Sequence, residues 1–309
     1  MHPANKNQFR TTRDSVRRLI EKQVLGLTGL SLQGVNYHEP RGDIGLYGPD
    51  SMVWRVHADF TSMLCGGVSA LLLQMLEPMT LAGVWDHSNF REDMLGRLRR
   101  TAQFISGTSF GPRSDALALV EKVRRIHGHI AGHCADGRPY YANDPQLLTW
   151  VHVTEVSSFL KSYMRYKGTL SDEEQDRYLT ESALTARLLG AEDIPTTRVQ
   201  VEDYLQAMRP RLRCDERTAE VRDVLLRGFA GAPQLVPMFK LFMAAGVDLL
   251  PVWAADLLDL PMSGLRRRMV RQSVSSTAAV LRWAVRDSAS IRARQRVESL
   301  PLPGSGLSV

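Results

Sequence analysis

The sequence predicts an all-α protein folded as a single multi-helix domain. Apolar residues recur at intervals of three and four along most of the chain, which places them on one face of a helix. Alternating apolar and polar residues, the pattern of a half-buried strand, are nearly absent. Because no repeat and no linker rich in proline, glycine or serine divides the chain, we expect one domain over residues 1–300 and a disordered tail over residues 301–309.

The first predicted helices follow from this periodicity. Residues 52–75 form one long helix or a broken pair, in which Gly66-Gly67 is either the break or a point of close packing. A second helix is predicted over residues 90–105. A third covers residues 114–130 and has Ser114 as its N-cap.

The later helices are identified by the residues at their ends. Ser171 and Glu174 have the spacing of a capping box, and Gly190 predicts the end of that helix. Before it, residues 135–145 form a turn-rich loop, because the loop contains Asp-Gly, Arg-Pro and Asp-Pro pairs. Further helices are predicted over residues 145–166, 201–208, 215–227, 234–260 and 262–287.

Composition excludes several classes of protein. A hydrophobic share of 44% with 23% charged residues is typical of a soluble globular chain. The formal charge of +6 is dispersed and aromatic residues make up only 7%, so we expect no nucleic-acid partner. Three cysteines without a C-x-x-C pair indicate neither a disulfide framework nor a cysteine zinc site. Because Arg17-Arg18 leads into a run interrupted by Glu21 and Lys22, we expect a first helix, no export signal and a cytoplasmic protein.

Histidines cluster in the middle of the sequence, where His87, His127, His129, His133 and His152 account for five of the eight. His129 and His133 have the i, i+4 spacing of zinc ligands on a helix, although glycines surround them and no third ligand is evident. His127 lies in the middle of the third predicted helix, as an axial haem ligand would. The third interpretation is that these imidazoles satisfy polar groups in the core. The residues alone leave all three open.

The stretch "GRLRRTAQF" at residues 96–104 concentrates arginines on one predicted helix. Arg97, Arg100 and Thr101 lie at i, i+3 and i+4 and share a face, whereas Arg99 points elsewhere. A solvated surface explains such a face, and so does a buried anion such as a phosphate or a haem propionate. Both interpretations stay open at this point.

Several motifs in order resemble the MpaB and latex-clearing-protein catalytic domain over about residues 20–260. They are "MVWRVHADFTSMLCGGVSALLLQMLEPMTLAGVWDHSNF", "GRLRRTAQF", "VEKVRRIHGHIAG", "DGRPYYANDPQLLTWVHVTEVSSFL" and "LSDEEQDRYLTESALTARLLG". The resemblance implies an all-α fold with a haem b pocket between helices. It also implies an oxygenase that uses dioxygen to split an isoprenoid C=C bond.

The resemblance also implies roles for individual residues. In the latex-clearing branch one helix carries Arg-x-x-x-Thr, which Arg97 and Thr101 match, and the next helix carries the proximal histidine, which His127 matches. These assignments make His127 the iron ligand and place Arg97, Arg100 and Thr101 beside the haem, where they would bind a propionate or a distal water. The branch has a removable lysine ligand where this chain has Arg100. Because arginine stays protonated and is a poor iron ligand, we expect no lysine-type closed state.

Departures from the family pattern bear on the substrate and on the catalytic base. Many bacterial relatives read "LHP" where this chain has Leu76-Glu77-Pro78, so Glu77 is one candidate base and Asp86 is the other. Without an export signal, the expected substrate is an apolar small molecule such as a lipid or terpenoid, not solid rubber. Residues 234–260 are either buried core or an interfacial lid that makes peripheral membrane contact. The sequence leaves the oligomeric state open.

Two other functions stay open beside the haem oxygenase. One is a non-catalytic haem- or lipid-binding protein on the same fold. The other is a zinc or non-haem metal hydrolase built on the histidine cluster.

Overall fold

Helices make up most of the fold over residues 13–23, 34–227 and 236–298, which are the residues that the computed structural model describes. The predicted all-α class is therefore confirmed. The tail predicted over residues 301–309 lies outside the described residues. None of the described helices is long and apolar enough to cross a membrane alone, although the helices Phe60–Gln74 and Pro78–His87, bent by 104° at their junction, meet those criteria together.

The elements are numbered in chain order. Helix α1 covers residues 13–23. The other helices are α2 (Met52–His57), α3 (Phe60–Gln74), α4 (Pro78–His87), α5 (Met94–Phe110), α6 (Arg113–His127), α7 (Pro145–Tyr166), α8 (Asp172–Leu189), α9 (Arg198–Met208), α10 (Glu216–Arg227), α11 (Val236–Leu249), α12 (Val252–Leu257), α13 (Gly264–Ala284) and α14 (Ala289–Glu298). Strands β1 (Ala131–His133) and β2 (Pro139–Tyr141) pair antiparallel with Gly132 opposite Tyr140.

The predicted helix over residues 52–75 is a broken pair, but its break is at Ala58 and Asp59 and not at Gly66. Asp59 has extended backbone angles, and its carboxylate accepts a hydrogen bond from the Ser62 amide at 3.0 Å. This side chain starts α3 as its N-cap and thereby interrupts the helix. The glycine pair remains inside α3, where it allows close packing.

Close packing at Gly66 predicts an effect on stability. A Cβ at this position would lie 2.9 Å from Phe159 Cδ1 and 2.9 Å from the Ser158 carbonyl oxygen on α7. We expect Gly66→Ala to lower the free energy of unfolding by about 1–3 kcal/mol, because the added methyl overpacks the α3–α7 contact. The matched control is Gly67→Ala, whose Cβ would meet only Phe159 Cε1 at 3.8 Å. Chemical denaturation of both variants measures the difference, and equal losses would contradict the close packing.

Three further predictions about local structure are wrong. Helix α6 starts at Arg113 after Pro112 and has no side-chain cap, so Ser114 is not its N-cap. It ends at His127, with Gly128 as C-cap, and not near residue 130. The loop predicted over residues 135–145 contains β2, because its Asp-Gly turn closes a short hairpin with β1.

Helices α5 and α6 form an antiparallel hairpin joined by Gly111 and Pro112. A Cβ on Gly107 would overlap Leu119, so these two positions face each other. Arg97 lies about three turns before this contact on α5, and His127 lies about two turns after it on α6. Arg97 and His127 therefore lie at the same open end of the hairpin.

Helices α7 and α8 bring two further helix ends to that place. The Asn143 side chain, just before α7, donates to the Arg124 carbonyl of α6 at 3.4 Å. Thr149 on α7 donates to the Glu192 carbonyl just beyond α8 at 2.7 Å. Four helix ends thus meet here, namely the starts of α5 and α7 and the ends of α6 and α8. We call this region the four-helix end.

Candidate functional site

Arg97 is a half-buried cation without an acidic partner among the described residues. Its Nη1 donates to Ser88 Oγ at 2.9 Å, at the end of α4. Burial, and to a lesser extent the nearby Arg100 charge, lowers the pKa of Arg97. A guanidinium that is desolvated and bound to one hydroxyl still has donors available for an anion.

Of the three residues predicted to share a face of α5, only Arg97 is half-buried, so the buried-anion interpretation does not extend to Arg100 and Thr101. Arg100 is exposed and forms an ion pair with Asp93 at 3.2 Å. Thr101 is also exposed, and its hydroxyl donates to the Arg97 carbonyl at 3.2 Å. The hydrogen bonds of both side chains are therefore local, and only Arg97 turns inward. The spacing of Arg99 places it on a different face of α5. Its side chain is half-buried, and its Nε has no hydrogen-bond partner among the described residues.

His127 is the last residue of α6 and not, as predicted, a residue in the middle of a helix. Its Nδ1 is buried and has no hydrogen-bond partner in the described part of the chain. No carbonyl or carboxylate among these residues therefore accepts a hydrogen bond from this nitrogen. Burial lowers the pKa of His127, so the imidazole is neutral near pH 7 and has a lone pair to offer.

The zinc interpretation loses its geometric basis. Because α6 stops at His127, His129 falls in an exposed turn and His133 in strand β1, so the two imidazoles do not share a helix face. His87 is exposed as well, with Nε2 3.2 Å from the Ala131 carbonyl oxygen. Over residues 13–23, 34–227 and 236–298, no three His, Cys, Asp or Glu side chains are grouped as metal ligands.

Neither candidate base is a free carboxylate. Glu77 is buried at the N-cap of α4, where it accepts a hydrogen bond from the Thr80 amide at 2.6 Å. Asp86 is exposed and accepts a hydrogen bond from the Tyr140 hydroxyl at 2.7 Å. Glu77 also lines a surface cleft of about 1340 Å³ whose lining includes neither Arg97 nor His127.

The most unusual carboxyl of the described chain was missed by sequence reasoning. Glu155 lies near the middle of α7, and no hydrogen bond or ion pair joins it to another described residue. Burial alone raises its pKa from 4.5 to about 7. The signal was present in "WVHVTEVSSFL", where Glu155 is the one acid in a largely apolar run.

Two imidazoles lie close to this carboxyl. His152 is one turn from Glu155, its Nε2 is buried without a partner among the described residues, and burial lowers its pKa to about 4. His57 was also missed. It joins α2 to α5 and α8, since Nδ1 is 2.7 Å from Ser109 Oγ and Nε2 is 2.8 Å from the Tyr178 hydroxyl oxygen. Burial, reinforced by the nearby His152, lowers the pKa of His57 to about 3.

Arg97, His127, His57, His152 and Glu155 have two properties in common. Burial shifts the pKa of each away from its ordinary value, and yet each side chain keeps part of its accessible surface. From this combination we infer that the five side chains, which lie on α2, α5, α6 and α7, border a recess in the fold. We call this recess the internal pocket.

Comparison with known protein families identifies a match. Residues 54–284, more than half of the chain, match the family described as ER-bound oxygenase mpaB/B'/Rubber oxygenase, catalytic domain. This range contains every residue that borders the internal pocket. No curated protein matches the chain, and no solved structure matches it.

Proposed function

We propose that this protein, which belongs to the mpaB and rubber oxygenase catalytic-domain family, uses haem b and dioxygen to oxidise an apolar small molecule. The reaction that we infer is oxidative cleavage of a C=C bond in an isoprenoid or lipid. The observation that supports haem most directly is the pairing at the four-helix end. There, a cation without an acid, Arg97, and an imidazole without a partner, His127, lie on adjacent helices.

The chemistry of these residues fits haem b. Haem needs an axial imidazole, cations for its propionates and an apolar slot. His127 offers a neutral imidazole with an unsatisfied nitrogen. Arg97 offers guanidinium donors that no described carboxylate occupies, and Leu98 and Ile105 add partly buried apolar surface on the same helix. When bound, haem b supplies the iron at which dioxygen is activated.

The residues of the internal pocket would act around that group in distinct ways. His127 would hold the iron, and Arg97 would hold a propionate and so fix the orientation of the ring. His57 is tied to Ser109 and Tyr178 and would keep the floor of the pocket rigid. The apolar α5 residues would exclude water from the reacting bond.

One purification tests the proposal. The protein should carry a Soret absorption band and stoichiometric haem, and it should consume dioxygen with an isoprenoid or lipid. Absence of haem together with bound zinc would favour the metal hydrolase and contradict the proposal. Haem-replete protein that consumes no dioxygen with any isoprenoid or lipid would favour the non-catalytic binding protein.

Arg97 and Arg100 form a matched pair for testing the propionate contact. We expect Arg97→Ala to weaken haem binding by about 10–100-fold, because it removes a charge-assisted hydrogen bond in a desolvated site. Arg100→Ala should change haem affinity by less than about threefold, since Arg100 is exposed and its ion pair with Asp93 contributes little. Titration of haem-free protein with haem measures both affinities. Similar losses in the two variants would contradict the assignment to Arg97.

A further inference from the structure

Glu155 is a half-buried acid that the fold itself does not explain. A carboxyl surrounded by packed helices without a hydrogen bond costs folding free energy, so it requires a reason for its presence. It does not cap a helix, bridge two elements or pair with an arginine among the described residues. Its neighbours are the phenols of Tyr47 and Tyr178, whose pKa values are raised first by burial and further by the Glu155 charge.

The neighbouring phenols are already occupied by other partners. The Tyr47 hydroxyl bonds to Thr185 on α8, and the Tyr178 hydroxyl bonds to His57. Neither phenol forms a hydrogen bond with Glu155 in the described structure. The acceptor capacity of the Glu155 carboxyl is therefore unused by these two neighbours.

His152, one turn away on the same helix, can provide a hydrogen-bond donor beside the Glu155 acceptor. Its Nε2 is buried without a partner, and the neutral ring carries a donor on one nitrogen and an acceptor on the other. With a proton on Nε2, His152 is a donor beside the acceptor Glu155. The two side chains together match a group that donates one hydrogen bond and accepts another.

A hydroxyl group has this property, whereas other head groups satisfy the pair less well. A hydrocarbon satisfies neither side chain, and an ether oxygen can accept from His152 but cannot donate to Glu155. A second carboxylate, including a haem propionate, would be repelled by an ionised Glu155. A pocket that holds buried polar groups discriminates strongly against a ligand that leaves them unpaired.

We propose that the substrate of this protein is an isoprenoid or lipid alcohol, whose hydroxyl donates a hydrogen bond to Glu155 and accepts one from His152 Nε2. This inference rests on the proposed function, because it assigns a head group to the apolar molecule that the oxygenase would oxidise. Both residues bind and position the substrate, and the reacting double bond lies elsewhere along its chain.

Binding of matched probes that share the geranyl chain tests the inference on the purified protein. The probes are geraniol, geranyl methyl ether, geranylamine and the hydrocarbon in which hydrogen replaces the geraniol hydroxyl. Calorimetry measures the dissociation constant of each probe. We expect geraniol to bind about 10-fold or more tightly than the hydrocarbon and the ether. Haem content is measured on the same samples, so a failure of the proposed function appears as missing haem and a failure of this inference as missing alcohol preference.

Variants at Glu155 identify the group that recognises the hydroxyl. Glu155→Leu should remove the preference for geraniol, whereas Glu155→Gln, which keeps a carbonyl acceptor, should retain most of it. Glu121→Leu, at an exposed acid of α6, should leave all four dissociation constants unchanged. Equal binding of geraniol and the hydrocarbon would overturn the inference. So would tighter binding of the amine than of the alcohol, persistence of the alcohol preference in Glu155→Leu, or no binding of any probe.

Discussion

Haem is expected to be lost when His127 is replaced by alanine. In the proposed arrangement the imidazole would be the one strong bond between the chain and the iron, and its removal would leave only propionate contacts and apolar packing. We expect His127→Ala purified from the same host to contain less than about a tenth of the haem of the unmodified protein, because losing an iron–nitrogen bond costs more than the 1.4 kcal/mol that corresponds to a tenfold change. The pyridine haemochrome assay measures this content, and free imidazole should restore part of the Soret band.

Two other histidines make the His127 result specific. His129 lies two residues further along in an exposed turn, so His129→Ala controls for changes at the end of α6 and should keep its haem. His152 is the rival ligand, since its Nε2 is also buried and unpaired. His152→Ala should keep the Soret band and change alcohol binding instead. Loss of haem in His152→Ala with retention in His127→Ala would assign the iron to α7 and contradict our arrangement.

The sequence predicted those elements that are determined by local signals. The capping box of α8 is an example, since Ser171 accepts from the Glu174 amide at 3.2 Å and Gly190 ends the helix with a φ of 107°. Pro145 likewise opens α7 as predicted. These features depend on residues three or four positions apart, so the sequence contains the whole interaction.

The features that were missed depend on contacts between distant segments. The break before α3 comes from one carboxylate, Asp59, which Arg282 also binds at 2.6 Å from 223 residues further along the chain. Periodicity cannot reveal such a partner. For the same reason, the spacing of Arg97, Arg100 and Thr101 predicted a common face but not which side chain the neighbouring helices would bury.

The candidate site was predicted only in part for a related reason. His127 was selected by its motif, and the structure adds that it ends its helix beside the start of α5 and α7. Glu155 was not selected, because a single acid in a helix is ordinarily solvated and no local pattern shows that Tyr47 and Tyr178 lie near it. Its unusual environment follows from contacts with distant segments of the chain.

The burial of Glu155 predicts that its replacement by glutamine stabilises the protein, and by an amount that depends on pH. The folded state holds the pKa of this carboxyl at about 7, against 4.5 in an exposed chain. Between these two values the folded state binds more protons than the unfolded state, so Glu155 makes stability fall as pH rises. At about 1.4 kcal/mol per pKa unit, the cost reaches about 3 kcal/mol above pH 7 and disappears below about pH 4.5.

The histidines of the internal pocket act in the opposite direction and must be separated from Glu155. The pKa values of His57 and His152 are lowered to about 3 and about 4 from 6.5, so the unfolded state binds more protons and stability rises with pH up to about 6.5. Because both histidines are present in the unmodified protein and in Glu155→Gln, their contribution cancels in the difference between the two. The stability curve of either protein alone would not isolate the carboxyl.

The expected difference in unfolding free energy between Glu155→Gln and the unmodified protein is near zero at pH 4.5 and grows to about 3 kcal/mol in favour of the variant at pH 7.5. Urea denaturation at a series of pH values, with both proteins at equal haem content, measures it. Glu121→Gln, at an exposed acid, should give a flat difference across the same range. A flat or falling difference for Glu155→Gln would mean that the carboxyl is solvated or paired. In that case the buried acceptor on which the alcohol preference depends would not exist.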